Sequence, residues 1–121
     1  MPASRIHHVQ VAMPKGREAE ARVFYGELLG FPEIAKPEPL AKRGGAWFQT
    51  GNLQLHLGVD EDFTPATKAH IAYEVDDIAA VRTRLEAARF AIVDDELLPG
   101  FDRFYVNDPF GNRVEILQPT S

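Results

Sequence analysis

The first strand-like stretch of the chain reads Ile-His-His-Val-Gln-Val-Ala at residues 6–12, where apolar and polar residues alternate. A period of two is typical of a half-buried β-strand, because neighbouring side chains point to opposite faces. If Val9 and Val11 pack against a core, His8 points away from it. His7 then shares the face of the valines, and we expect it to be a packing or hydrogen-bonding residue.

Outward from this strand, the chain repeats one order of elements. The first half predicts a strand at 6–12, a helix at 17–29 and strands at 31–35, 46–50 and 53–59. The second half predicts a strand at 69–75, a helix at 78–89 and strands at 90–93, 101–106 and 113–117. The helical stripes are Ala21, Phe24 and Leu28, then Ile78, Val81, Leu85 and Ala88. A repeat in this order predicts two similar modules, at about 5–60 and about 68–119, within one domain spanning 1–121.

Three local signals refine these elements. The Gly51-Asn52 pair between two strands is typical of a β-hairpin turn. Asp76 and Asp77 are candidate N-caps of the second helix. By parity, Phe48 and Phe104 are expected to pack under the helices.

Composition narrows the function classes. The 121 residues carry a net charge of −5 with no long basic run, so nucleic acid is not an expected partner. Cysteine is absent, which leaves only histidines and carboxylates to hold a metal. No signal-like or membrane-spanning stretch is evident, so we expect no membrane partner and a cytoplasmic location.

Four polar side chains stand opposite the apolar faces of the predicted strands. Leu55 and Leu57 place His56 on the other face of its strand, and the same parity applies to His8, His70 and Glu115. His70 lies 62 residues after His8, and Glu115 lies 59 residues after His56, so the repeat relates the pairs. Three imidazoles and a carboxylate suit a divalent ion such as Zn, Ni, Fe(II), Co or Mn.

Three longer motifs add a family resemblance. They are His-His-Val-Gln-Val-Ala at 7–12, Arg-Val-Phe-Tyr-Gly-Glu-Leu-Leu-Gly-Phe at 22–31, and Phe-Tyr-Val-Asn-Asp-Pro-Phe-Gly-Asn-Arg-Val-Glu at 104–115. With them the chain resembles the vicinal oxygen chelate superfamily, which contains glyoxalase I, fosfomycin thiol transferases, extradiol dioxygenases and bleomycin resistance proteins. The resemblance implies an α+β fold of two βαβββ modules that form a curved mixed sheet around a metal-binding cleft.

The resemblance also implies roles for the four polar residues. The metal ligands of the family fall on His8, His70 and Glu115, with His56 at the fourth place. Glyoxalases often have Glu at that fourth place, so His56 would make the site less anionic. Where a ligand carboxylate serves as the catalytic base in glyoxalase I, only Glu115 is available here.

The strand before Glu115 indicates the kind of ligand. Arg103 and Tyr105 share a parity, and in the family this face looks into the cleft. A guanidinium and a phenol beside a metal suit an anionic, oxygen-rich small molecule. Gln10 and Gln54 are predicted to add a polar wall, and Trp47 an aromatic one.

These expectations leave several functions open. The preferred one is a small metal-dependent enzyme with lyase-like or isomerase-like chemistry on vicinal oxygens. A second is a drug-binding protein without catalysis, like the bleomycin resistance members. The subset His8, His70 and Glu115 also matches an Fe(II) ring-cleaving dioxygenase. A polar interface between modules is the least favoured explanation for the histidines. The resemblance implies a homodimer.

Overall fold

The computed structural model describes residues 2–120, which divide into two compact units with the boundary between Thr64 and Pro65. Each unit contains one four-stranded sheet with helical segments. Within the described residues, no helix is both long and apolar enough to cross a bilayer.

The first unit has the order strand, helix, strand, strand, strand. Its elements are β1 (His8–Met13), α1 (Glu18–Ala21) running into a π-helical segment (Arg22–Leu28), β2 (Glu33–Ile34), a 3-10 turn (Leu40–Arg43), β3 (Ala46–Thr50) and β4 (Leu53–Val59). The sheet order is β1-β4-β3-β2, in which β1 and β4 are parallel and the other pairs are antiparallel.

The second unit has the same topology. Its elements are β5 (Ile71–Glu74), α2 (Ile78–Ala87), β6 (Ile92–Val93), β7 (Phe101–Asn107) and β8 (Arg113–Pro119). The order β5-β8-β7-β6, with β5 and β8 parallel, matches that of the first sheet. The predicted fold class, α+β with two βαβββ modules, is thus confirmed, while the metal-binding cleft between curved sheets stays a prediction.

Strand alternation separates the core from the functional face in β1. Val9 and Val11 are partly buried and Met13 is fully buried, whereas His8 and Gln10 are exposed. In β3 and β7 the aromatic side chains Phe48 and Phe104 are buried as predicted.

The hairpin between β3 and β4 also follows the sequence signal. Thr50 pairs with Leu53, so the two-residue loop Gly51-Asn52 joins the strands. Gly51 has a φ of +64°, a conformation that glycine adopts without steric cost.

The first helix differs from its prediction. Its buried residues are Ala21, Phe24, Tyr25 and Leu29, while Leu28 of the predicted stripe is only partly buried. The backbone N–H of Leu29 donates to the carbonyl of Phe24, five residues earlier, at 3.0 Å. A π-helical turn contains more residues than an α-turn, so it moves the buried stripe one position along the chain.

The second helix begins where its capping residue predicts. The Asp77 carboxylate accepts a hydrogen bond from the backbone N–H of Ala80 at 3.1 Å, which is the N-cap arrangement. Val81 and Leu85 are buried, but Ala88 lies beyond the last turn and is exposed.

A buried carboxylate organises the turn between β7 and β8. Asp108 is only 4% exposed and accepts hydrogen bonds from the backbone N–H groups of Phe110 and Asn112, each at 2.9 Å. The amide of Asn112 donates to the same carboxylate, and its oxygen accepts from the N–H of Ala66. Every oxygen of this buried acid is therefore hydrogen-bonded, as burial requires. This turn joins the two strands that present Tyr105 and Glu115.

Candidate functional site

Three rings form a stacked row across the sheet of the first unit. His56 on β4 pairs with Trp47 on β3, and their rings stack at a centroid distance of 3.8 Å and an angle of 2°. The ring of His8 lies 4.4 Å from that of His56, at 16°. Strands in a sheet are about 4.8 Å apart, so side chains on the same face of neighbouring strands are close enough to stack.

His56 lies in the middle of this row and is 5% exposed. Its Nε2 is 2.9 Å from Oε1 of Gln54, an amide oxygen that only accepts, so Nε2 carries the proton. Burial lowers the pKa of His56, and the positive charge of His8, His7 and Lys36 lowers it further. The imidazole therefore takes up a proton at a lower pH than a solvated histidine does.

The adjacent histidines at the start of β1 have different surroundings. Nδ1 of His7 and Nδ1 of His8 are 3.0 Å apart, so one ring must donate to the other. His7 is exposed and lies before the first residue of β1. It therefore does not pack in a core, which was the first of the two roles expected of it. Its predicted hydrogen-bonding role agrees with the contact to His8.

A cavity of about 400 Å³ opens beside the row of rings. Its lining includes His8, Gln10, Lys36, Arg43, Trp47 and His56. Gln54 contacts His56 but is not among the lining residues. The cavity thus has ring, amide and cationic groups on its wall.

The second unit brings a histidine and a carboxylate into contact. His70 directly precedes β5, and Glu115 lies on β8 opposite Ala72 of β5 and Tyr105 of β7. Nε2 of His70 is 2.9 Å from Oε1 of Glu115, which is 6% exposed. This separation is an ordinary hydrogen-bond distance between a ring nitrogen and a carboxylate oxygen.

A main-chain hydrogen bond determines what His70 can offer Glu115. Its Nδ1 is 3.0 Å from the carbonyl oxygen of Lys68, which only accepts, so Nδ1 carries a proton. In the neutral ring, Nε2 then carries a lone pair, and this lone pair faces an ionised carboxylate. The pair therefore needs a proton on Nε2 or a cation shared by both atoms.

Arg103 lies beside the other carboxylate oxygen of Glu115, Oε2. Its Nη1 donates to the Tyr105 hydroxyl at 2.8 Å and lies 3.5 Å from Oε2 of Glu115. Nε and Nη2 of Arg103 donate to the main-chain carbonyl of Glu96 at 3.3 and 2.9 Å. The guanidinium of Arg113 lies 3.9 Å from the centroid of the Tyr105 ring, a cation–π distance. Glu115 thus lies in a positively charged, hydrogen-bonded surrounding.

The registers place the two pairs at equivalent positions in their own sheets. His56 pairs with Gln10 on β1, and His8 lies two residues before it. Glu115 pairs with Ala72 on β5, and His70 lies two residues before it. By the same comparison, Trp47 and Tyr105 are the equivalent neighbours on the third strand of each sheet. The structure describes one ligand-capable pair in each unit, and residues 2–120 hold no group of three or more such side chains that could bind a metal.

Two contacting residues were missed by the sequence reasoning. Parity offered a signal for Arg113, which lies on β8 two residues before Glu115. Lys36 lies beyond the end of β2, where strand parity does not apply, so no pattern within that strand indicated it.

The chain was compared with known sequences and structures. The sequence profile of the Glyoxalase/Bleomycin resistance protein/Dioxygenase superfamily matches residues 5–116. A search of functionally curated proteins finds no significant match. A solved structure from Bacillus anthracis, assigned to the glyoxalase family, is 48% identical with a TM-score of 0.91, covering 98% of this chain and 97% of that one.

Two more distant structures share the fold. Lactoylglutathione lyase from Agrobacterium tumefaciens is 21% identical with a TM-score of 0.73, covering 97% of this chain and 95% of that one. An antibiotic binding protein from a Streptomyces species is 23% identical with a TM-score of 0.72, covering 99% of each chain. From the profile match and the Bacillus anthracis relative together, the chain belongs to the Glyoxalase/Bleomycin resistance protein/Dioxygenase superfamily.

Proposed function

We propose that the protein is a divalent-metal-dependent enzyme with lyase-like or isomerase-like chemistry on an anionic, oxygen-rich small molecule. The observation that carries this proposal is the contact between His70 and Glu115. With Nδ1 of His70 protonated, its Nε2 and the buried Oε1 of Glu115, 2.9 Å apart, must share either a proton or a metal cation, and we propose the cation. Zinc–ligand bonds are about 2.0–2.2 Å, so two ligands of one ion lie roughly 3–3.5 Å apart, close to the observed separation.

The four proposed ligands differ in how well their surroundings suit binding of a divalent ion. His70 and Glu115 fit, since the Lys68 carbonyl orients the ring with its lone pair towards Glu115. His8 is exposed on its sheet. His56 would have to exchange its hydrogen bond to Gln54 for the ion, so it is the most weakly supported of the four ligands. Zn, Ni, Fe(II), Co and Mn all accept imidazole and carboxylate ligands.

The proposed roles follow from the chemistry of these groups. A bound divalent ion polarises neighbouring substrate oxygens and stabilises the negative charge that develops on them. Glu115 is proposed as the base that accepts a proton from the substrate, because it is the one carboxylate among the four proposed ligands. Arg103 and the hydroxyl of Tyr105, held together at 2.8 Å, are proposed to bind an anionic oxygen of the substrate. Gln10, Gln54 and Trp47 are proposed as further wall residues.

A binding protein without catalysis is the second candidate. It is favoured by the cavity of the first unit, whose walls could hold a small molecule without any metal. The structural similarity to an antibiotic binding protein agrees with this candidate. The cytoplasm as its location and the homodimer as its assembly stay predictions from the sequence and the family resemblance.

Metal content separates the two candidates. We expect tag-free wild-type protein, dialysed against Zn, Ni, Mn or Fe(II), to retain at least one of these ions by elemental analysis. The double variant His70→Ala/Glu115→Ala should retain none, because both members of the pair are gone. Glu74→Ala is the matched control, since it removes an exposed carboxylate from β5. Equal retention by wild type and the double variant would rule out the metalloenzyme and leave the binding protein.

A further inference from the structure

The charged side chains that line the cavity of the first unit are all positive. Its lining includes the cations Lys36 and Arg43, together with the imidazoles of His8 and His56. No aspartate or glutamate is among its lining residues. This contrasts with a chain whose net charge is −5. An anion entering such a cavity meets donors and positive charge without a competing carboxylate.

Lys36 extends the row of rings to the edge of the sheet. Its Nζ lies 6.0 Å from the centroid of the Trp47 ring and donates a hydrogen bond to the carbonyl of Gly44. An ammonium has three N–H donors, so two are left for a ligand. The nearby carboxylate of Glu18 accepts from the backbone N–H of Gly45 at 2.8 Å and does not line the cavity.

The remaining wall is apolar. Leu40 and Val59 line the cavity together with the indole of Trp47. A volume of about 400 Å³ is within the range of small-molecule pockets, which combine apolar walls with a few polar groups that set orientation. The ligand that matches both parts has an apolar body and one anionic group.

From these observations we infer that the cavity of the first unit binds a small organic oxyanion, a carboxylate or phosphate ester, whose charge is held by Lys36 and Arg43 and whose apolar body lies against Trp47. The inference rests on the proposed function in one respect, namely that the substrate is anionic. It adds the anion-binding residues and the apolar character of the ligand, and it places them on the first unit.

Trp47 is the only tryptophan in the chain, so its fluorescence reports on this cavity alone. Chelator-treated protein at constant pH and ionic strength is titrated with phenyl phosphate, benzoate, inorganic phosphate and neutral benzyl alcohol. We expect phenyl phosphate or benzoate to change the fluorescence saturably and to bind at least about tenfold more tightly than benzyl alcohol. Inorganic phosphate distinguishes recognition of the charge alone from recognition of the whole molecule, and it should bind more weakly.

Charge-removing variants test the named residues. Lys36→Gln and Arg43→Gln should each weaken binding of the aromatic anion by about tenfold, and circular dichroism confirms that they are folded. Lys42→Gln is the matched control, because Lys42 is exposed beside Arg43 and does not line the cavity. An affinity that is equal for benzyl alcohol and the anions, or unchanged in both variants, would overturn the inference.

The outcome is separable from that of the metal proposal. Anion binding that persists in chelated protein and in His70→Ala/Glu115→Ala supports the inference whether or not the wild type retains metal. Metal retention without any preference for anions would leave the proposed enzyme and refute the anion site.

Discussion

At the scale of single residues, hydrogen bonds made away from the candidate ligands determine what those ligands can do. The carbonyl of Lys68 accepts a hydrogen bond from the Nδ1–H group of His70. In the neutral ring this leaves the lone pair of Nε2 directed towards Glu115. In His56 the protonated nitrogen is Nε2 instead, because Nε2–H donates a hydrogen bond to the amide oxygen of Gln54. His56 and His70 therefore differ in the ring nitrogen whose lone pair is open to an ion.

The two histidines of β1 allow a direct test of register. His8→Ala should lower the affinity for Zn by on the order of 100-fold, because it removes a proposed ligand from the exposed face of the strand. His7→Ala should lower it by no more than about tenfold, since His7 contacts only the ring of His8 among the proposed ligands. Competition with a chromophoric chelator measures both affinities.

The two variants serve as controls for each other. They remove the same side chain from adjacent, exposed positions, so general effects of losing an imidazole should be equal. An equal loss of affinity would mean that the proposed assignment of His8 is wrong.

At the scale of elements, the loop before β3 depends on a close approach of two backbones. Gly45 has a φ of +83°, and a Cβ built there would lie 2.1 Å from the carbonyl oxygen of Leu57 on β4. The same loop is held by the carboxylate of Glu18 and contains Gly44, the acceptor of Lys36. The conformation of this loop therefore positions one side of the cavity.

Glycine substitutions separate crowding from backbone strain. Gly51→Ala should cost about 1–2 kcal/mol in the free energy of unfolding, because its positive φ is strained but no atom lies within 4 Å of the new Cβ. Gly45→Ala should cost clearly more, since the same strain is combined with the clash against β4. Urea denaturation measures both values, and equal losses would show that the loop moves aside without cost.

At the scale of the whole molecule, the chain is one topology used twice with different chemistry. Both sheets have the same strand order, and both place a polar pair at the same register positions. The first unit carries stacked rings and a cationic cavity, whereas the second carries an acid held by Arg103. The duplication thus supplies two distinct sets of groups.

Stability should report binding of a metal to the folded chain. Zn at about 100 times its dissociation constant should raise the free energy of unfolding by about 2.7 kcal/mol, if the unfolded chain does not bind it. Glu115→Gln should lose most of this gain, while Glu74→Gln, altered at an exposed site, should keep it. The gain should shrink as the pH falls, because protons compete with the ion for the ligand groups. An identical gain in Glu115→Gln would contradict the assignment of Glu115 as a ligand.

Local periodicity explains how much of the fold could be predicted. Strands β3 and β4, their Gly51-Asn52 turn and the capping Asp77 all depend on neighbours a few residues away, and all were predicted correctly. The first helix was predicted with the wrong stripe, because an i→i+5 bond has no signature in apolar spacing. Of the two roles expected of His7, packing or hydrogen bonding, the structure shows the hydrogen bond to His8, because strand parity does not determine how exposed a residue is at the end of a strand.

By itself, the sequence determined the repeated order of elements and the face of its strand on which each polar residue lies, since a period of two follows from the covalent chain. Only the tertiary structure decided which atoms meet. Trp47 stacks on His56, and Arg103 reaches Glu115, because pairing between strands brings together residues that are distant along the chain. Such lateral contacts depend on register, which no pattern within a single strand contains.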